Sequence, residues 1–195
     1  MRRRFTACEI ACQRAIKRVF DPKGTLNPGV LLPDYSPEEP NTDRFEAAVR
    51  EALCSHLAGP SFAMARETCL PPADGIVEVN TGNLSANVDA RVSLQRFAGE
   101  LAKHGMCCHA APDEPDARSV GQLVAWGTAT ERERVRESLL GLSSRIVGVE
   151  QVARFGAITI KDVAGYDTKR LFIGGGSAFG DLEQLTFKLS VQPRR

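Results

Sequence analysis

The glycine cluster Gly174-Gly175-Gly176, followed by Gly180 and an alternating run over 182–189, constrains this chain more than any other stretch. Without a Cβ, glycine adopts positive φ at little cost, so such a turn brings backbone amides close to whatever lies beside it. Leu182, Leu185, Phe187 and Leu189, with polar Glu183, Thr186 and Lys188 among them, predict a strand over 182–189. Residues 168–173 predict a short helical turn, and 161–167 a polar turn centred on Gly165. On spacing alone, a glycine-rich turn is a turn first and a phosphate or cofactor site second.

Upstream, Phe5, Cys8, Cys12, Ile16 and Val19 form a helical stripe over 4–19, with Arg14, Lys17 and Arg18 towards its C-terminal end. FDPKGTLNPG (20–29) is a double turn, and LLPDYSPEEPN (31–41) has the proline-rich, acidic composition of a linker. A second helix is expected from Asp43, paired with Glu46 in a capping-box spacing, to Leu57. Ile76, Val77 and Val79 suggest one strand, and Val88, Ala90 and Val92 a second. Ser93 is expected to cap a helix with Leu94, Phe97 and Leu101 on its apolar face, ended by Gly105. Residues 110–118 read as an exposed loop. TERER (130–134) fits either a shortened functional loop or a solvated helix face, and 146–149 with 151–160 fit a hairpin near Phe155-Gly156.

The 195 residues suffice for one domain with a sizeable core, and a net charge of +1 gives no electrostatic case for nucleic acid or an anionic membrane. No apolar run approaches a membrane span, no apolar segment follows the basic Met1–Arg4 opening, and a cytoplasmic protein is expected. Cys8, Cys12, Cys54, Cys69, Cys107 and Cys108 lack a paired framework and are expected to be reduced, with Cys8 and Cys12 packed in the core rather than ligating metal. His56, His104 and His109 have no partner at catalytic spacing, and no metal site and no catalytic residue is nominated.

KDVAGYDTKRLFIGG, closed by G-x-L-x-x-L-T-x-K-L, resembles the end of the FAD-binding domain of the FAD-linked oxidases. This flavoprotein superfamily includes glycolate oxidase, D-lactate dehydrogenase and vanillyl-alcohol oxidase, and the resemblance is strongest to the smaller FAD-binding subunits of bacterial glycolate oxidases. SVGQLVAWG (119–127) resembles the family's T-[IV]-G-G-x-[IV]-A-x-G, and DPKGTLNPG resembles the motif that ends the larger subunits' cap domain. The order therefore suggests a cap-domain tail (1–30), a linker (31–41) and an incomplete FAD-binding domain (42–195).

The resemblance implies an α+β fold: a PCMH-type FAD-binding subdomain with a mixed, mostly antiparallel sheet, flanking helices and an N-terminal helical appendage. It implies FAD, held weakly or shared, near Ser119, Val120, Gly121, Gly127, Gly165, Asp167, Gly174, Gly180 and Asp181. The implied partners are a larger FAD-linked oxidase subunit and an iron–sulfur subunit, with a small 2-hydroxy acid as substrate of the complex. The sequence departs from the family pattern at several places. SFAMARETCL (61–70) has no glycine where the pyrophosphate loop belongs, Gln122 replaces a glycine expected to lie against the flavin, and Asp181 replaces a valine or isoleucine. Two functions follow: an FAD-binding component of a glycolate- or D-lactate-type oxidoreductase, or a degenerate, non-catalytic scaffold for such an enzyme.

Overall fold

A computed structural model describes residues 5–26, 32, 39–58, 72–149, 151–156 and 167–192. Most of the linker, the glycine-free 61–70 stretch, the 157–166 segment with Gly165, Cys69 and the His56 side chain lie outside the described residues.

Helix α1 (Ala7–Phe20) starts where Thr6 Oγ1 accepts from Glu9 N and Glu9 Oε2 accepts from Thr6 N, a reciprocal capping box. The second oxygen of Glu9 reaches across the fold and accepts from Arg154 N, at 3.0 Å, on strand β5 (Val152–Gly156). Glu9 is only 3% exposed, so one buried carboxylate serves both a helix start and a strand edge. Cys8, Ala11, Cys12, Ala15, Ile16 and Val19 face inward. The Cys12 thiol, hydrogen-bonded to Cys8 and buried, has its pKa pushed well up and packs as a neutral group. After α1, Asp21 collects Lys17 Nζ at 2.7 Å, Thr25 N at 2.8 Å and Leu26 N at 2.9 Å, around Gly24 at φ +65°. Lys17 and these amides hold the Asp21 carboxyl well below the usual carboxylate range.

Helix α2 (Asp43–Ala58) buries Phe45 and Val49. Its expected capping box does not form. The Glu46 carboxylate instead takes Arg18 Nε at 2.6 Å and Arg50 at 3.0 Å, because a long basic side chain of α1 lies within reach.

The strands are β1 (Val77–Asn80), β2 (Ser85–Asp89), β4 (Leu139–Ile146), β5 and β6 (Gly180–Lys188), hydrogen-bonded in the order β1-β2-β6-β4-β5. Every described pairing is antiparallel, so the sheet is antiparallel throughout rather than mixed. β3 (Met106–Cys107) and β7 (Ser190–Val191) form a separate pair. Helices α3 (Leu94–Lys103), α4 (Val120–Trp126), α5 (Ala129–Ser138) and α6 (Lys169–Phe172) complete the order. Among the described residues no helix is long and apolar enough to cross a membrane.

Period-two patterning divides the sheet. Ala86, Val88, Leu142, Ala153, Phe155, Leu185 and Phe187 join the buried faces of α1 to α5 in one core. Glu78, Asn87, Thr186, Gly141 and Gly156 lie in one register row on the opposite face, which bounds an open concavity of about 880 Å³ with Asn80, Ser143, Arg154 and Gln184. A row of rings, Phe155–Phe172–Phe179–Phe45, with centroids 5.7, 5.8 and 6.1 Å apart, ties β5, α6, the glycine turn and α2 together.

Ser93 caps α3 and Gly105 follows it at φ +65°, as the sequence predicts. The strand expected through Val88, Ala90 and Val92 instead ends at Asp89. Ala90 and Val92 are buried, but their carbonyls accept from Gly121 N and Val120 N at the start of α4 instead of continuing the ladder. The hairpin also begins earlier than expected, because β4 starts at Leu139 and ends at Ile146, before β5 begins at Val152. TERER belongs to α5, the solvated-helix alternative.

Glu9→Ala is expected to lower the free energy of urea unfolding by about 1–3 kcal/mol, since it leaves the amides of Thr6 and Arg154 without acceptors. Glu9→Gln, which keeps one carbonyl acceptor, should lose less. Equal losses in the two variants would show that the side chain's volume matters and its acceptors do not.

Candidate functional site

Helix α4 is satisfied at both ends by its own chain. At its start Ser119 Oγ accepts from Gln122 N at 3.1 Å, and Gln122 Oε1 accepts from Ser119 N at 2.8 Å. Gln122, expected to crowd a ligand, is therefore half of a capping box. At its end the carbonyls of Val124 and Ala125 accept from Gly174 N at 2.8 Å and Gly176 N at 3.1 Å. A helix leaves its last carbonyls without intrahelical partners, and the glycine turn supplies them.

The glycines themselves are filled around by the protein. A Cβ at Gly121 would stand 2.8 Å from the Ala90 carbonyl oxygen, and one at Gly174 (φ +75°) 2.5 Å from Arg132 Cδ. At Gly180 (φ +145°) a Cβ would overlap the Arg145 carbonyl oxygen. The amides of Val120, Gly121, Gly174, Gly176 and Gly180 all donate to backbone carbonyls within the chain.

Between α4 and the glycine turn lies a cleft of about 40 Å³, lined by Ala90, Arg91, Ser119, Gly121, Ala125, Trp126, Gly176, Ser177, Gly180, Asp181 and Leu182. The structure thus gathers four of the expected site residues here: Ser119, Gly121, Gly180 and Asp181. Val120 is buried beneath the cleft, Gly127 ends α4, and Gly174 sits against Arg132. Asp167 stands apart, binding Lys169 Nζ at 2.6 Å and Arg170 Nε at 2.7 Å. The sequence reading missed Trp126, Arg91, Gly176 and Ser177. Trp126 carried a usable signal, being the only tryptophan of the chain and standing at one of the two variable positions of the 119–127 motif.

Trp126 Nε1 is buried and, among the described residues, is the buried side-chain polar atom without a hydrogen-bond partner. Indole N–H is a donor only, and a buried donor left unpaired costs about 1–3 kcal/mol. Beside the cleft, Glu131 caps α5 by accepting from Thr128 N at 2.7 Å, and its other oxygen takes Arg118 at 2.6 Å. Arg118 and the Thr128 amide hold Glu131 down at about 2. No group of three or more His, Cys, Asp or Glu side chains suited to a metal occurs among the described residues.

Comparisons with known proteins show what the chain is similar to. Residues 1–31 match the family described as FAD linked oxidases, C-terminal domain. The chain is 37% identical over 126 residues to glycolate oxidase subunit GlcE of Escherichia coli (strain K12), a match that covers 62% of this chain and 35% of that one. The likeness is to the FAD-linked oxidases. The matched stretch spans about a third of the length of that curated relative. A solved structure of alkyldihydroxyacetonephosphate synthase superposes with a TM-score of 0.50 at 13% identity, over 62% of this chain and 22% of that one, and shows the α/β fold with its antiparallel sheet.

The described residues do not by themselves fit FAD. Trp126 Nε1 is unpartnered but closed off from solvent. The amides of Val120, Gly121, Gly174, Gly176 and Gly180 are already bonded to backbone carbonyls and are not available to a pyrophosphate. A cleft of about 40 Å³ is also far below the roughly 300–1,000 Å³ of a ligand pocket.

Gly180→Ala is expected to lower the urea midpoint, because both its φ and the Arg145 carbonyl exclude a Cβ. An unchanged midpoint would mean the turn is not needed for packing. For Glu131 the folded pKa lies below the ordinary value, so its contribution is present above about pH 4.5 and lost as pH falls towards 2. Thermal melts of wild type and Glu131→Gln should therefore differ at pH 6 and converge near pH 2.

Proposed function

We propose that this chain is the flavin-domain component of a glycolate- or D-lactate-type oxidoreductase, and that it forms one wall of a PCMH-type FAD site completed by a partner. The observation that carries this reading is the cleft that brings 119–126 together with 176–182, the two segments that resemble flavin-facing ones, with Trp126 in its lining. The chain's similarity to a glycolate oxidase subunit supports the choice of reaction class. A flavin, when bound, supplies a hydride acceptor for the α-carbon of a 2-hydroxy acid. The chain's own described residues would face one edge of the ring, with Leu182 and Ala125 as apolar lining and the amides of Gly121, Gly176 and Gly180 already committed to carbonyls. The partners of this reading are a larger FAD-linked oxidase subunit and an iron–sulfur subunit, in the cytoplasm.

A second reading has its own support. Because the glycine-turn amides cap α4 and the glycines' Cβ positions are filled, the domain can stand without a flavin, as a scaffold for a catalytic partner. The visible spectrum after FAD addition and gel filtration separates the two. Little flavin retained by the chain alone, with stoichiometric flavin in its complex with a larger FAD-linked oxidase subunit, is the outcome expected. A complex that forms without flavin bound at this chain's cleft supports the scaffold, and a colourless chain with no partner overturns both readings.

A further inference from the structure

Residues 5–26 form a unit that closes on itself. Helix α1 begins on the reciprocal bonds of Thr6 and Glu9 and ends on Asp21, which collects Lys17 Nζ and the amides of Thr25 and Leu26. Both ends of the helix are therefore capped by groups of the same segment. What reaches outward serves docking: Cys8, Cys12, Ile16 and Val19 enter the core, Glu9 Oε1 accepts from Arg154 N at 3.0 Å, and Arg18 pairs with Glu46 at 2.6 Å. The receiving surface is α2 and β5, the strand at one end of the sheet. An end strand presents outward backbone groups that need a cover, and α1 supplies it. Residues 1–31 match the family model of a C-terminal domain, yet here they precede the rest of the chain and join it through the proline-rich stretch 31–41.

Resting on the reading that the chain works with a larger FAD-linked oxidase subunit, we propose that the surface formed by α2 and β5 is a docking site for the C-terminal tail of such a subunit, and that α1 occupies it in cis. The surface defines its occupant. It takes a helix with an apolar stripe at the spacing of Cys8, Cys12, Ile16 and Val19, a carboxylate in the first turn for the Arg154 amide, and a cation in the last turn for Glu46. A segment capped by its own groups keeps these features whichever chain carries it. A helix of 14 residues is marginal alone in water, so it takes its stability from the seat it fills. The tether sets the competition. It raises the effective concentration of α1 to roughly the millimolar range, so an untethered tail enters once the tether is cut.

A protease site placed at 33–37 and then cut leaves every side chain of α1, α2 and β5 in place. Fluorescence anisotropy with two labelled peptides reads the surface of this nicked chain: one carries residues 1–31, the other the C-terminal tail of the larger subunit of a bacterial glycolate oxidase. Both should bind the nicked chain, and both should bind the intact chain at least about tenfold more weakly. Binding of the first peptide without the second overturns the inference. Binding of neither overturns it too, since the surface then serves only its own tethered helix. Ile16→Ala trims the apolar stripe, so in the nicked chain it should speed release of the α1 fragment and entry of the tail peptide; a tail still excluded from that variant overturns the inference independently of slow exchange. The whole larger subunit separates this inference from the reading it rests on. A complex that forms with the α1 fragment still seated keeps the reading and overturns the inference, whereas a bound tail peptide with no complex of the whole subunit overturns the reading and leaves the surface standing.

Discussion

The hydrogen bonds from Gly174 and Gly176 to the last carbonyls of α4 hold the site together and also limit what it can bind. They fix the glycine turn against the helix, so that Gly180 enters β6 at φ +145° with its missing Cβ against the Arg145 carbonyl. Phe172 and Phe179 flank this turn and anchor it in the core through Phe155 and Phe45. The turn is a helix cap first. Any ligand must use what the cap leaves over, and among the lining residues that includes the hydroxyl of Ser177.

The N-terminal helix depends on a comparable economy of groups. Glu9 closes its own helix start and also satisfies an edge amide of β5, so the stretch that matches the oxidase C-terminal domain packs into the same core as the sheet. Arg18 to Glu46 at 2.6 Å adds a clamp between α1 and α2. That pair is about half exposed at the arginine and contributes little by itself; the apolar face of Cys8, Cys12, Ile16 and Val19 carries the docking.

What was legible in the sequence depended on whether one local pattern settled each element. The strand after the glycines, the Ser93 cap and the stripe of α1 are local, and each forms near its expected place. Ala90 and Val92 continue the apolar alternation of β2, yet their carbonyls serve α4, and alternation cannot report where a carbonyl points. Gly141, Ser143 and Ser144 concealed β4, because small and polar residues there face neighbouring strands closely and Ser144 is fully buried. Gln122 looked like a lost glycine because the resemblance fixed attention on a ligand, while its spacing from Ser119 already spelled a capping box. The cleft's residues come from 90–91, 119–126 and 176–182, and no local pattern joins them.

The bonded ends of α4 limit what the site offers a ligand. Its C-terminal carbonyls are taken by Gly174 and Gly176, its first amides at Val120 and Gly121 by Val92 and Ala90, and Asp181 adds a carboxylate to the cleft. Arg91 lines the same cleft and offsets one charge, which leaves the local balance near neutral rather than anion-attracting. A pyrophosphate would therefore need its donors from outside the described residues, in amides or arginines brought over the cleft, whereas a neutral ring edge meets no such opposition. On the proposed flavin reading, whatever closes the site over the phosphates would therefore be basic or present a helix N-terminus.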